Sequence, residues 1–278
     1  MAVTNFIQSI WSKKIQDDLE LKCKLVDNCL RDYEGDVKHA ASVKILGVGE
    51  PTIGDYDNTQ DITIEEMTDR GQILTIDQAK YFAFYVDDVN QAQSVPGLAE
   101  RYQQKAVHGL AVQRDSYVAT LIAAAENKTP IGELTEENAK KAVDAAIVAL
   151  RERNFDEDGV IEMTPAFYNV FKNHLITLST NNPELIKKGV VGMYDNFECI
   201  MSNNLKTPAD IRGKKAVAFA GQINEVEALR AEKRFKDIIR GLDTYGAKVI
   251  DEKRIQVLTP LDKGVINCPS RIRGIPCV

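Results

Sequence analysis

Two acidic segments are the parts of this chain whose residue types and spacing come nearest to a metal site. In residues 154–159, Asn-Phe-Asp-Glu-Asp-Gly, acidic side chains alternate before a glycine, and residues 55–66 place oxygen-bearing side chains at the spacing of calcium ligands. The first segment has Asn154 and Pro165 where an EF-hand loop needs Asp and a bidentate Glu, and the second has Gln60 where the loop needs Gly. Both favour solvated acidic turns over calcium sites, and we expect no metal and no cofactor.

The histidines and glycines form no catalytic or nucleotide-binding pattern. His39, His108 and His174 are far apart in the sequence, and neither H-E-x-x-H nor G-x-S-x-G occurs. The Gly-Val-Gly at residues 47–49 is only half of a dinucleotide-binding fingerprint. The basic run at residues 212–215 fits either an anion contact or a solvated turn, and the turn is favoured. We therefore expect no catalytic residue.

The cysteines also lack a functional spacing. There are five of them, with no C-x-x-C pair and no zinc-ligand pattern: Cys23, Cys29, Cys199, Cys268 and Cys277. In a reducing cytoplasm we expect free, partly buried thiols. Pairing of the last two, which flank a proline-containing tail, is the less favoured alternative.

The composition limits the number of domains and the classes of protein to which the chain can belong. The chain has 278 residues, 44% of them hydrophobic, and a formal net charge of −6, which suits one large domain or two connected ones. The acidic balance argues against a broad basic face that grips nucleic acid, although it allows a protein that surrounds nucleic acid without reading it. No apolar run is long enough for a bilayer and no signal-peptide pattern opens the chain, so we expect synthesis in a cytoplasm and no membrane partner.

The hydrophobic periodicity predicts an α+β fold with two unusual elements. An amphipathic helix is predicted over residues 9–30, and residues 43–76 predict a long antiparallel hairpin with too little apolar material for a core of its own. Residues 98–125 predict one long helix with an apolar face through Tyr102, Leu110 and Tyr117. A second helix is predicted after an N-cap at Thr135, with an apolar face of Ala139, Val143, Ile147 and Leu150, and a third after Thr164. Strands are predicted over residues 81–86, 160–163, 190–201, 216–229 and 245–258.

Several short stretches, in this order, resemble the major capsid proteins of tailed bacteriophages, which share the Hong Kong 97-type fold. They are spread from Asn5 to about Val257 and comprise Asn5–Ser12, Arg31–Gly35, Asp61–Glu66, Leu74–Phe84 with Val86–Asp88, Val226–Asp237 and Gly241–Val249.

The resemblance implies a domain organisation. Residues 1–42 would form an N-terminal arm, 43–78 an extended β-hairpin loop that lies over a neighbouring subunit, and 79–129 a peripheral domain with the long helix as its spine. Residues 130–229 would form an axial domain at the capsomer centre, and residues 230–260 would return to the periphery. The tail, 261–278, matches nothing in the family and has no assigned role.

The resemblance also implies a function. The chain would be a structural protein, a major head protein that self-assembles into hexamers and pentamers of an icosahedral shell around the double-stranded DNA of a virion. It would have no enzymatic activity. Its partners would be further copies of itself, portal and head-completion proteins, and a separate scaffolding protein, and it would enclose DNA without sequence-specific binding. The alternatives are an encapsulin-type nanocompartment shell and, least favoured, a cytoplasmic enzyme whose polar residues converge only in three dimensions.

Overall fold

The structure is a computed structural model that describes residue 19 and residues 23–32, 42–45, 71–87, 98–178, 192–230 and 236–260. Several features singled out from the sequence lie outside these residues: His39, residues 47–49 and 55–66, Cys268 and Cys277. The same holds for most of the predicted N-terminal helix and for the part of the predicted hairpin between residues 46 and 70.

The described residues contain both helices and strands without strict alternation, so the predicted α+β class is confirmed. The elements are β1 (Ser42–Ile45), β2 (Gln72–Thr75), β3 (Gln78–Asp87), α1 (Leu98–Ala123), β4 (Lys128–Ile131), α2 (Glu136–Arg151), β5 (Gly159–Met163), α3 (Pro165–Leu178), β6 (Met193–Tyr194), β7 (Phe197–Met201), β8 (Ala209–Gly213), β9 (Val217–Arg230), β10 (Lys236–Val249) and β11 (Ile255–Pro260).

The strands form three sheets in the described part of the chain. β1 and β2 make an antiparallel pair, β3, β10 and β9 make an antiparallel sheet in that order, and a mixed six-stranded sheet has the order β4-β11-β8-β5-β7-β6. The helix α1 packs with β3, β10 and β11, whereas α2 packs with α3, β4 and β11. Two apolar cores result, one around α1 and one around α2 and α3.

The long helix is present, and its packed side includes the predicted Leu110 and Tyr117 but is wider than the predicted face. The buried positions include Val107, Leu110, Ala111, Val118 and Ile122, which recur at helical spacing, together with the polar residues Gln103, Arg114 and Asp115. Tyr102, which was predicted to face the core, is 46% exposed. The predicted face missed part of the packed side because periodicity assigns charged residues to solvent. Arg114 and Asp115 are instead bonded inside the core.

The second core follows its predicted pattern closely. The residues predicted to face inward on α2, Ala139, Val143, Ile147 and Leu150, are all buried, and the Thr135 hydroxyl accepts the Asn138 N–H as an N-cap. Helix α3 begins after Thr164, as predicted. The Thr164 hydroxyl donates to the Pro208 carbonyl, so this residue also joins α3 to the loop before β8.

The base of the predicted hairpin is observed as the antiparallel β1–β2 pair. Its apolar residues Val43, Ile45 and Leu74 pack on Ala218 and Ala220 of β9. The hairpin base therefore lies on the body of its own subunit, in agreement with the expectation that so little apolar material needs another surface.

A glycine allows this close approach. A Cβ atom at Gly246 on β10 would lie 2.2 Å from the carbonyl oxygen of Thr75. A side chain at this position would push β2 away from β10, so the absence of one helps to hold the hairpin base on the body.

Candidate functional site

The segment that we call the root, residues 23–30, packs in the core around α1 and is bonded to side chains of α1 and of the six-stranded sheet. The sequence predicts helix through this segment, and that prediction is wrong here. Only Val26–Asn28 form a short 3-10 helix, and Leu30 makes a parallel β-bridge to Ala218. Buried charged side chains from other elements bind the backbone groups of the root instead, and periodicity gives no sign of them.

Asp115 of α1 binds the N–H groups at the start of the root. Its carboxylate accepts from the backbone nitrogens of Lys24 (3.1 Å), Leu25 (3.1 Å) and Val26 (3.3 Å). It also accepts from the side-chain amide of Asn204, at 3.3 Å. Burial raises the pKa of Asp115, while these hydrogen bonds lower it and partly offset the cost of burial.

Arg212 of β8 binds one carbonyl group before the 3-10 helix of the root and one at its end. Its guanidinium donates to the Asn28 carbonyl at 2.7 Å and to the Leu25 carbonyl at 2.9 Å. The sequence placed Arg212 in a basic turn exposed to solvent, and this is a further error: the residue lies in a strand and is 0% exposed. Only Lys214 and Lys215 of the basic run are exposed in the turn before β9.

The two side chains that bind the root carry the charges that suit its backbone. A single helical turn leaves N–H groups unpaired at its start and carbonyl groups unpaired at its end. Here a carboxylate binds the first set and a guanidinium binds the second, which matches the polarity of the helix dipole. The root is therefore held by charge-assisted hydrogen bonds at both ends.

These contacts tie the root to both cores. Leu25, Val26 and Cys29 belong to the core around α1, as does Leu19. Leu30 donates its N–H to the Val217 carbonyl (2.8 Å) and accepts the Phe219 N–H (3.0 Å), which adds one bridge at the edge of β9. Arg212, in contrast, belongs to the six-stranded sheet. The root thus joins the core around α1 to the six-stranded sheet.

Arg212 is held by a carboxylate of its own sheet. Glu162 of β5 accepts from the guanidinium at 2.7 Å and 3.2 Å, and both side chains are 0% exposed. Asp210, the direct cross-strand partner of Glu162, is also fully buried, and its side-chain oxygens have no hydrogen-bond donor.

A second buried arginine stabilises the body away from the root. Arg114 of α1 donates through Nε to Asp243 of β10 at 2.9 Å and through Nη2 to the other carboxylate oxygen. The guanidinium also lies 5.6 Å and 5.9 Å from the ring centroids of Phe219 and Tyr245, within range of cation–π attraction. This pair joins the long helix to the middle strand of its sheet.

The other residues singled out from the sequence are not brought together. His108 is exposed on α1 and His174 is half-buried on α3. The acidic turn before β5 is exposed, and its Glu157 pairs with Arg254 at 2.8 Å. Among the described residues, no three His, Cys, Asp or Glu side chains are placed to hold a metal ion, and no helix is long and apolar enough to cross a membrane.

The three described cysteines are free thiols, as predicted. Cys23 and Cys29 are buried in the root, and Cys199 is half-buried on β7. Burial raises the pKa of Cys23 and of Cys199 to about 12 and that of Cys29 to about 11. These thiols are therefore protonated at neutral pH and pack as small apolar groups.

Solved structures of viral shells share this fold. A structure from Mycobacterium phage Che8 matches with a TM-score of 0.71 and 24% identity over 85% of this chain and 90% of that one. The capsid of the cyanophage P-SCSP1u matches with a TM-score of 0.69 and 16% identity over 84% of this chain and 86% of that one. A virus-like particle from Pyrococcus furiosus matches with a TM-score of 0.58 and 13% identity over 91% of this chain and 99% of that one.

No protein-family model and no curated protein sequence matches the chain. The structural matches cover most of both chains, and they confirm the predicted resemblance to the fold of phage capsid proteins.

Proposed function

We propose that this protein is the major capsid protein of a tailed bacteriophage, a structural subunit that assembles into an icosahedral shell. The observation that carries the proposal is the fold match over most of both chains to shell structures, among them the mature capsid of bacteriophage PhiM1 and the capsid of the native GTA particle. The buried charged residues of the described chain support it, because all of them except Asp210 make bonds that join elements of the fold.

The two cores support a division into an axial and a peripheral part. The axial domain, at the centre of a capsomer, would comprise the six-stranded sheet with α2 and α3. The peripheral domain would comprise α1, as its spine, with the β3-β10-β9 sheet. Since β9 packs in the core around α1, we place the boundary near Ala216, earlier than the 229 expected from the sequence.

Assembly would use the two segments that extend from this body. Residues 1–18 would reach a neighbouring subunit, and the root would anchor them. The hairpin beyond Ile45 would do the same from its base on β9. Copies would associate head to tail into closed hexamers and pentamers. Many weak contacts per subunit give a stable shell through multivalency.

The interior would hold double-stranded DNA without reading its sequence. The net charge of −6 supports loose enclosure, because a shell that neutralised many phosphates would hold the packaged DNA tightly. Portal, head-completion and separate scaffolding proteins would be the other partners, and the shell would assemble in the cytoplasm of the host.

A nanocompartment shell is the second candidate, and the match to the virus-like particle favours it specifically. The contents distinguish the two functions. A capsid gene lies beside portal and terminase genes and its shell takes up DNA, whereas a nanocompartment encloses a cargo protein. The phage matches have the higher TM-scores and support the capsid.

Size-exclusion chromatography with light scattering tests the shell function. The purified full chain should elute as particles of many subunits, whereas an enzyme would elute as a small discrete oligomer. Replacing residues 52–60 with a short Gly-Ser turn should leave thermal unfolding near normal and abolish the particles. A variant that still assembles in normal yield would overturn the role given to the hairpin.

As a control on the same body, Lys141→Ala removes only an exposed ion pair with Glu137 on α2. Solvent-exposed pairs of this kind contribute little to stability, so this variant should assemble like the wild type.

A further inference from the structure

Asp210 lies beside the Glu162–Arg212 pair with no donor for its carboxyl group. It is 0% exposed, neither side-chain oxygen has a hydrogen-bond partner, and it faces Glu162 directly across the β5–β8 ladder. Two ionised carboxylates and one guanidinium would leave an uncompensated negative charge in this buried place, at a high cost in free energy. A carboxyl group in such surroundings forms a hydrogen bond only if it keeps its own proton and donates it.

The surrounding elements offer Asp210 no other compensation. Glu162 takes the Nε and one Nη2 bond of Arg212, and the remaining donated bonds go to root carbonyls. The neighbouring strand β11 contributes the apolar residues Ile255 and Val257 opposite Arg212 and Asp210.

Two titratable groups approach the cluster from elsewhere. From the root, Cys29 is neutral at ordinary pH because burial raises its pKa to about 11. From α1, Asp115 is already engaged with N–H groups of the root. Neither supplies positive charge to Asp210.

We propose that Asp210 is a proton-dependent latch on the root, an inference that rests on the anchoring role proposed for that segment. With its proton, Asp210 donates to Glu162, the three side chains are neutral in sum, and Arg212 keeps its N–H groups on the carbonyls of Leu25 and Asn28. When the Asp210 O–H bond breaks and the proton passes to water, the guanidinium is drawn towards two carboxylates. The Asn28 carbonyl then loses its donor, the Leu25 carbonyl keeps only the Asn28 N–H and the Cys29 thiol, and the root opens.

The direction of the pH dependence follows from the burial of Asp210. Burial, and then the adjacent Glu162 carboxylate, raise the pKa of Asp210 well above its ordinary value. In an open root that admits water, the pKa returns to about 4. The closed form binds the proton more tightly, so low pH favours closure. Between the two pKa values the open fraction rises about tenfold per pH unit, and above the raised value it levels off.

Hydrogen exchange of the backbone amides tests the latch in the full chain. Exchange would be followed from about pH 5, just above the ordinary carboxyl pKa, into the alkaline range and corrected for the intrinsic pH dependence of amide exchange. We expect protection of the amides of residues 24–29 to fall as the pH rises. Asp210→Asn, whose amide donates to Glu162 and cannot ionise, should make this protection independent of pH. Cys29→Ala should retain the wild-type slope.

Three outcomes would overturn the latch: a flat profile in the wild type, a persistent slope in Asp210→Asn, or an equal slope at every protected amide including those of α2. The last would mean that Asp210 sets global stability and not the closure of the root. The readout is independent of shell formation, so a protein that shows the latch but forms no particles would refute the proposed function alone.

Discussion

Two arginines are buried in the described chain, and they are used differently. Arg114 is balanced by a single carboxylate, Asp243, and its remaining surroundings are aromatic rings. Arg212 is balanced by Glu162 and also binds two carbonyl groups of the root, beside a second carboxyl group. The first pair joins a helix to a sheet. In the second pair, Arg212 also uses part of its hydrogen-bonding capacity to stabilise the root.

The difference shows why a buried ion pair is not in itself a stabilising device. Pairing two charges that have been removed from water adds little to the free energy of unfolding. Apolar residues of similar shape often replace such a pair without loss of stability. A pair that also binds backbone groups cannot be replaced in this way, since the backbone groups would remain unpaired. The second pair therefore has a positional function that the first lacks.

The largest effect should come from Arg212→Met. This variant leaves Glu162 without its cation and the Asn28 carbonyl without its donor, while the Leu25 carbonyl keeps only the Asn28 N–H and the Cys29 thiol. The free energy of unfolding should fall by about 3–5 kcal/mol, the usual range for breaking a buried pair. Denaturant unfolding measures the loss, and amide exchange should show that residues 24–29 are deprotected more than α2. A loss below about 1 kcal/mol would mean that Arg212 is not needed to hold the root.

Replacing each pair as a whole gives a sharper comparison. Arg114→Met with Asp243→Leu should restore stability to within about 1 kcal/mol of wild type, because nothing else depends on that pair's hydrogen bonds. Glu162→Leu with Arg212→Met should remain about 1–3 kcal/mol less stable, because the buried Asn28 carbonyl stays unpaired. Equal recovery in the two double variants would remove the distinction between the pairs.

Asp115→Ala tests the other end of the root. Three backbone N–H groups would lose their acceptor, and we expect a loss of about 1–3 kcal/mol in the free energy of unfolding. Deprotection in amide exchange should be confined to the root and its contacts. The contradicting result would be a uniform loss of protection across both cores with an unchanged root.

The smallest effect should come from Thr135→Ala, which removes the N-cap of α2 far along the chain from the root. A cap of this type contributes about 1 kcal/mol. Thermal unfolding should shift slightly, whereas exchange at residues 24–29 should match the wild type. Deprotection of the root in this variant would show that the two cores are coupled more tightly than the separate anchors suggest.

The sequence predicts the elements of this fold better than it predicts the site. The apolar positions of α2, the cap at Thr135 and the antiparallel hairpin base follow from local patterns, because local hydrogen bonds and burial on one face determine them. Short stretches similar to phage capsid proteins also indicated the fold that the structural matches confirm.

The anchoring residues escape such patterns. Asp115 lies 89–91 positions from the N–H groups it accepts, and Arg212 lies 184 and 187 positions from its carbonyl partners. A charged residue in a helix or strand is normally exposed, so the pattern indicated a solvated turn for Arg212 and no burial for Arg114 and Asp115. The one usable signal was the strand alternation of Asp210 and Arg212 beside Glu162, which becomes visible only when the pairing of β5 with β8 is known.

Cryo-electron microscopy of the purified full chain tests the central claim, that this protein builds a closed shell. We expect particles whose reconstruction shows sixfold and fivefold capsomers. The domain of the six-stranded sheet should lie at each capsomer centre, and residues 1–18 of each subunit should contact a neighbour. Small discrete oligomers as the only species, or a shell with the β3-β10-β9 sheet at the capsomer centres, would contradict it.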